Sequence, residues 1–164
     1  MAVTTQKSPE YAAEKSSPHI QTLEISALGL QILQFNFVQS GAGDIASTMS
    51  LRRLPGGLIY FFPLLSRITW EAFGAARTLD IGHGAYTGLD LVTVVADDNL
   101  FDDDVDVSAA GTAFLGSDYG TTPANNGGFK EFNSIDGVDI FATVAGGTIP
   151  DTTNLTGYLV IARP

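Results

Sequence analysis

Six aspartates fall within ten residues, Asp97, Asp98, Asp102, Asp103, Asp104 and Asp106, and no Lys or Arg occurs between Arg77 and Lys130. Carboxylates at that density are what a hard cation such as calcium takes, because it needs about six to eight oxygens and a flexible loop can wrap several around it. If a cation binds, Asp102, Asp104 and Asp106 are the first candidates, since alternate residues of an extended chain point to one side. The block lacks the Asp-x-Asp-x-Asp-Gly order with a distant Glu that marks the best-known calcium loop. Crowded like charges most often form a solvated loop, and that is the expectation here; a docking surface for a basic partner and a cation site compete with it. No metal and no cofactor is expected overall.

Other chemistry would need a positioned base or nucleophile. The two histidines, His19 and His83, lie on a polar N-terminal stretch and beside a glycine turn. There is no Gly-x-Ser-x-Gly elbow, no phosphate loop with its Lys and no His-Glu-x-x-His. Gly41-Ala42-Gly43-Asp44 is glycine-rich but no helical pattern follows it, so a nucleotide site is not expected there. Two of the eighteen acids could converge as a hydrolase pair, yet nothing singles out a pair. Tyr60, Phe61, Phe62 and Trp70 could form a carbohydrate platform, but aromatics in an apolar strand usually supply buried area, and core packing is expected.

The elements that must carry these residues are short. With 164 residues, 45% of them hydrophobic, the chain can bury one core and is too small for two ordinary domains. Residues 1–27 are polar, with Ser8-Pro9 placed to start a turn of helix, and are expected to form an extended N-terminal arm. Residues 28–164 are expected to form a single domain. Within it Leu33, Phe35 and Phe37 alternate with polar neighbours, as do Leu79, Ile81 and His83, and Leu89 to Ala96 alternates again. Leu58 to Leu65 is apolar on both faces, and Pro63 marks an edge or bulge in it. Asp136-Gly137, between Lys130–Ser134 and Val138–Val144, predicts a hairpin. Eighteen glycines set between short alternating runs, with no long helical period, predict an all-β fold: an antiparallel β-sandwich, jelly-roll-like, with the N-terminal arm attached.

Composition narrows the partners. A formal net charge of -10 with only eight Lys and Arg argues against nucleic acid and against anionic membranes. Absence of cysteine removes disulfides and thiolate metal sites, so stability must come from packing or assembly. No apolar run reaches bilayer length, and a soluble chain made without a signal peptide is expected, which makes the Asn154-Leu155-Thr156 glycosylation triplet accidental.

Several segments together resemble small all-β virion proteins of tailed bacteriophages. They are Leu54-Pro55-Gly56-Gly57 before an apolar strand, Thr78-Leu79-Asp80-Ile81-Gly82, Val107-Ser108-Ala109-Ala110-Gly111, and the run from Val138 to Thr148. The resemblance covers about residues 45 to 162 and carries no catalytic residue. It implies a non-enzymatic capsid decoration or cement protein, often a homotrimer, on the outer surface of the phage head. Its partner would be the major capsid protein lattice, and it would be made in the host cytoplasm. The N-terminal arm and the edge of the Leu54 to Leu65 strand are the expected contact elements. The long arm and the Gly-rich excursion from Gly116 to Gly128 depart from the simplest decoration proteins and leave a second possibility open. That is a tail, neck or fibre module binding a host-surface carbohydrate, with Tyr86 and Tyr119 as the exposed aromatics.

Overall fold

Strands that bury one face need a second layer, and the alternating runs supply two. The structure, a computed structural model, describes residues 5–9, 11–12, 29–116, 119 and 128–164. One sheet has the order β1 (Thr5–Lys7), β3 (Thr48–Leu54), β12 (Val138–Ala145), β6 (Thr78–His83), β9 (Asp97–Asp106). The other runs β10 (Gly111–Phe114), β5 (Arg67–Trp70), β13 (Asn154–Ala162), β4 (Gly57–Phe61), β11 (Lys130–Ser134), with β2 (Leu30–Val38) along the other side of β13. A two-stranded ribbon, β7 (Tyr86–Thr87) and β8 (Thr93–Val94), is joined to the end of β11 by a bridge between Gly88 and Ser134. Pairing is antiparallel throughout except β1 on β3. The molecule is the all-β sandwich that the sequence predicts.

The core lies between the sheets. Leu33, Phe35 and Phe37 of β2, Ile59 and Phe61 of β4, Ile68 and Trp70 of β5, Leu79 and Ile81 of β6 and Ile140, Ala142 and Val144 of β12 all point into it. Phe61 and Trp70 are core residues, as expected; the Trp70 Nε1–H donates to Ala109 O at 2.9 Å. The apolar run from Leu58 splits at Pro63, where β4 ends and a single 3-10 turn (Pro63–Leu65) leads into β5. Ser66 mends the break in the ladder, because its Oγ accepts from Val160 N at 2.9 Å. The outer face of this run is covered from within the chain: the Phe129 ring packs against Tyr60 (5.2 Å, 82°) and Phe62 (5.9 Å).

Two predicted elements come out differently. Asp136-Gly137 does not close a hairpin: β11 pairs with β4 in one sheet and β12 with β3 and β6 in the other, so the turn crosses between sheets. It lies against the β3–β4 crossing, and both turns require glycine. A Cβ on Gly137 (φ 93°) would lie 2.2 Å from Leu54 O, and one on Gly56 would lie 2.4 Å from Ile135 O. Leu89 to Ala96 is not a half-buried strand either. Only Thr93–Val94 is strand, and Leu89, Leu91, Val92 and Val95 face solvent.

Of the expected arm, the described residues lie on the domain. Thr5–Lys7 extends the sheet beside Thr48–Ser50. The Ser8 Oγ accepts from Tyr11 N at 3.0 Å and donates to Leu51 O at 2.5 Å, so the helical turn expected behind Ser8-Pro9 begins where a Ser cap places it. The rest of the arm, and most of the Gly116 to Gly128 excursion, lie outside the described residues.

Candidate functional site

The acidic block is not a solvated loop but the outermost strand of its sheet, β9. Its pairing with β6 is irregular: Leu79 faces Val105, Ile81 faces Asp102 and His83 faces Asp97, so the six residues from Asp97 to Asp102 span what the three from Ile81 to His83 span. The bulge fits because Gly82 lies beneath it; a Cβ there would lie 1.9 Å from Asp97 O. Bulging lets one acidic sequence bury Phe101, whose ring meets Phe61 edge-on at 4.9 Å, while most of the aspartates stay in water. An edge strand carrying this charge resists pairing with another sheet edge, since like charges would face each other.

Alternation does not hold across Asp102, Asp104 and Asp106. Asp102 is 2% exposed, and its Oδ2 accepts from Gly116 N at 3.0 Å, which ties the following excursion to the sheet. Asp104 is exposed with φ 56°, a left-handed residue that turns its carboxylate to Thr78 Oγ1 (3.0 Å). Asp106 is exposed and accepts from Ser108 N at 2.8 Å; hydrogen bonds from the Ser108 hydroxyl and amide hold its carboxyl below the usual range. The carboxylates that do come together are Asp80, Asp103 and Asp104, each with an oxygen within 4.8 Å of the others.

Asp80 arrives from β6, on the outward position between Leu79 and Ile81, and its Oδ1 accepts from Asp104 N at 3.0 Å. Partial burial pushes the Asp80 carboxyl up, and the charges of Asp103, Asp104 and Asp98 add to this against the Asp104 N–H. The outward position of Asp80 is legible in the sequence; its partners depend on which strand lies beside β6, which periodicity does not specify.

The remaining candidates are structural. His83 is 3% exposed, flanked by the rings of Phe132 (5.3 Å), Tyr86 (5.6 Å) and Phe101 (6.5 Å). Its Nδ1–H donates to Gly84 O at 2.9 Å, and burial pushes its pKa down, so the ring is neutral at pH 7. His19 lies outside the described residues. Tyr86 is half-buried on the Phe132 ring, and Tyr119 is buried with its hydroxyl donating to Phe129 O at 2.8 Å. Tyr119 therefore offers no open aromatic face for sugar stacking, and Tyr86 is partly covered by His83 and Phe132.

Tyr11, which the sequence did not single out, anchors the N-terminal segment. It is 4% exposed, and its hydroxyl donates to Asp139 Oδ2 at 2.8 Å, while the other carboxylate oxygen of Asp139 pairs with Arg53 at 2.5 Å. Burial first, and then the Asp139 hydrogen bond and charge, push the Tyr11 pKa up to about 12. No helix among the described residues is long and apolar enough to cross a membrane.

No protein-family model matches the chain, and no curated protein does. Solved structures do. A chain of the Cyanophage Pam1 capsid asymmetric unit aligns at 12% identity over 91% of this chain and 96% of its own, with a TM-score of 0.49. One from the acid-stable capsid of Helicobacter pylori bacteriophage KHP30 aligns at 14% identity over 82% and 94%, with a TM-score of 0.34. A chain of the capsid of Ralstonia phage GP4 aligns over 98% of this chain and 99% of its own, at 15% identity and a TM-score of 0.63. The chain therefore has, from end to end, the fold of a component of that phage capsid, and the resemblance to phage virion proteins read from its segments holds at the level of the fold.

Proposed function

We propose that this chain is a non-enzymatic structural protein of a phage virion, a decoration or cement protein that binds the outside of the head lattice and stabilises it across capsomer boundaries. The observation that carries the proposal is the end-to-end likeness to a chain of the Ralstonia phage GP4 capsid. Equal coverage of both chains supports a role for the domain as a whole. In addition, the described candidates for chemistry have structural work: His83 packs among aromatic rings, Asp102 ties down a loop, and Tyr119 closes the core.

Cementing needs no chemistry. A protein that binds the assembled lattice and not its separated subunits stabilises the lattice by mass action, and several weak contacts on one particle act together. A homotrimer would multiply those contacts. The residues 1–27 arm is the contact element in this proposal, with residues 28–164 as the body that carries it; the edge of the Leu54 to Leu65 strand, the other expected contact element, is taken up, because β4 lies between β13 and β11. Because Thr5–Lys7 and Tyr11 also hold the sheet, removing residues 2–27 is expected to lower thermal stability as well as particle affinity.

The test is co-sedimentation of the purified chain with heads that lack it, unexpanded and expanded, with and without chelator. Saturable binding to the expanded lattice is expected. A folded chain that binds no form of the head would overturn the proposal and return the tail, neck or fibre role.

A further inference from the structure

The ribbon that precedes β9 carries the least explicable surface on the molecule. Leu89 is 53% exposed, Leu91 77%, Val92 59% and Val95 76%, all within seven residues, and Ile135 beside them is 41% exposed. Isolated exposed apolar residues are ordinary, but several of them in one short ribbon mark a contact surface. The ribbon is well built. Gly88 N donates to Val92 O at 2.8 Å, Val92 N to Asp90 Oδ1 at 3.1 Å, and its base is fastened to β11 through Leu89 N to Asn133 O (3.2 Å) and Ile135 N to Thr87 O (2.9 Å). These residues are therefore held outward by a fixed backbone.

Leu91 sharpens the point. Its φ is 65°, the left-handed region where Gly, Asn or Asp is cheapest, yet the position holds a large apolar side chain exposed to water. Backbone and solvation both disfavour Leu there, and since none of the described residues covers it, an apolar contact from a partner would offset them.

The surroundings say what kind of contact. Asp90 lies within the ribbon, Asp97 and Asp98 follow it directly, and Asp136 follows Ile135, while the ribbon and β9 contain no Lys or Arg; the basic groups toward its base are Lys130, over the Phe132 ring, and Arg53, which donates to Asp136 O. A second copy meeting this patch face to face would bring the same aspartates against it, which opposes self-association. We propose that the β7–β8 ribbon is a docking plug for a protein surface that presents an apolar pocket rimmed by Lys and Arg. Placing that pocket on the phage head rests on the capsid role proposed above.

Two variants of the full chain test this: Leu91→Gly, which relieves the backbone while removing the side chain, and Leu91→Ser with Val95→Ser. Binding to heads lacking the protein is measured by co-sedimentation at low and high salt, with thermal unfolding as the check on folding. Wild-type binding that weakens with salt, and a loss of about tenfold or more in affinity for both variants at an unchanged or higher Tm, is the expected result. Variants that bind heads like the wild type would overturn the plug and leave the cement role standing. A wild-type chain that binds no head would overturn both. Sedimentation equilibrium supplies the last outcome: an oligomer of the wild type that Leu91→Ser with Val95→Ser dissociates assigns the patch to a second copy and also overturns the proposal.

Discussion

Asp80 shows how much a single residue's neighbours decide. Taken alone it is the polar position of an alternating strand, but the fold sets it against Asp103 and Asp104 and pushes its carboxyl above the usual range, with burial as the leading cause. A carboxyl whose folded pKa is raised adds stability only while it can hold its proton, so its ionisation at neutral pH works against the fold. Asp80→Asn keeps the oxygen that accepts from Asp104 N and removes the charge. We therefore expect a higher Tm at pH 7, and the gain should vanish near pH 3, where Asp80 is already protonated. A lower Tm for the variant, together with a calcium-dependent Tm for the wild type, would show instead that the three carboxylates hold a cation.

His83 works in the opposite direction. Its folded pKa lies below about 6.5, the unfolded value. As pH falls through that value the unfolded chain takes up a proton that the buried ring refuses, so stability declines on acidification. His83→Gln should flatten the dependence of Tm on pH between about 6.5 and 5, at some cost in packing at every pH. An equal slope in both proteins would mean that His83 is not the buried neutral ring among Phe132, Tyr86 and Phe101.

At the scale of elements, the decisive feature is the bulge of β9 over β6. Gly82→Ala would place a methyl carbon 1.9 Å from Asp97 O and 2.5 Å from the Asp98 carbonyl carbon, and both neighbours are backbone, which cannot rotate away. We expect a loss of about 1–3 kcal/mol, comparable to other overpacked sites, seen as a lower midpoint in urea with an unchanged slope. A neutral Gly82→Ala would mean that β9 does not cross there.

The same strand explains what was legible beforehand. Alternation is strict in β5, from Leu33 onward in β2 and from Thr78 to Ile81 in β6, and those strands, their inward faces and the sandwich class could all be read from it. β9 was not legible, because a bulged strand has no fixed period and its aspartates look like a loop. The turn at Asp136-Gly137 was recognisable as a turn but not as a crossing between sheets, since the glycine requirement comes from Leu54 O, which is remote in sequence. The β7–β8 ribbon escapes sequence reading for a related reason: Leu89, Leu91, Val92 and Val95 are apolar as a core strand would be, and sequence does not say that none of the described residues covers them. Local rules fail at the bulge and at the ribbon, where register and cover are decided by contacts that sequence periodicity does not specify.

For the whole molecule, the distribution of charge bears on assembly. With a net charge of -10, copies repel one another in solution, and most contact energy must come from a partner that is more basic or that holds several copies in place. A head lattice does the second by geometry: it repeats the same site many times, so a chain with modest affinity for each site still accumulates on the particle. If cementing is the role, the stabilisation must depend on occupancy. At free protein near one hundred times Kd, mass action gives about 2.7 kcal/mol per site, falling as the protein is diluted below Kd. Heads lacking this chain should therefore melt at a temperature that climbs with added protein and then levels off when the sites are full, whereas heads with Leu91→Gly added should need correspondingly more protein to reach the same plateau. Saturated heads that melt no later than bare ones would show that the chain binds the particle without cementing it, and would leave its work on the particle to contacts with something other than the lattice.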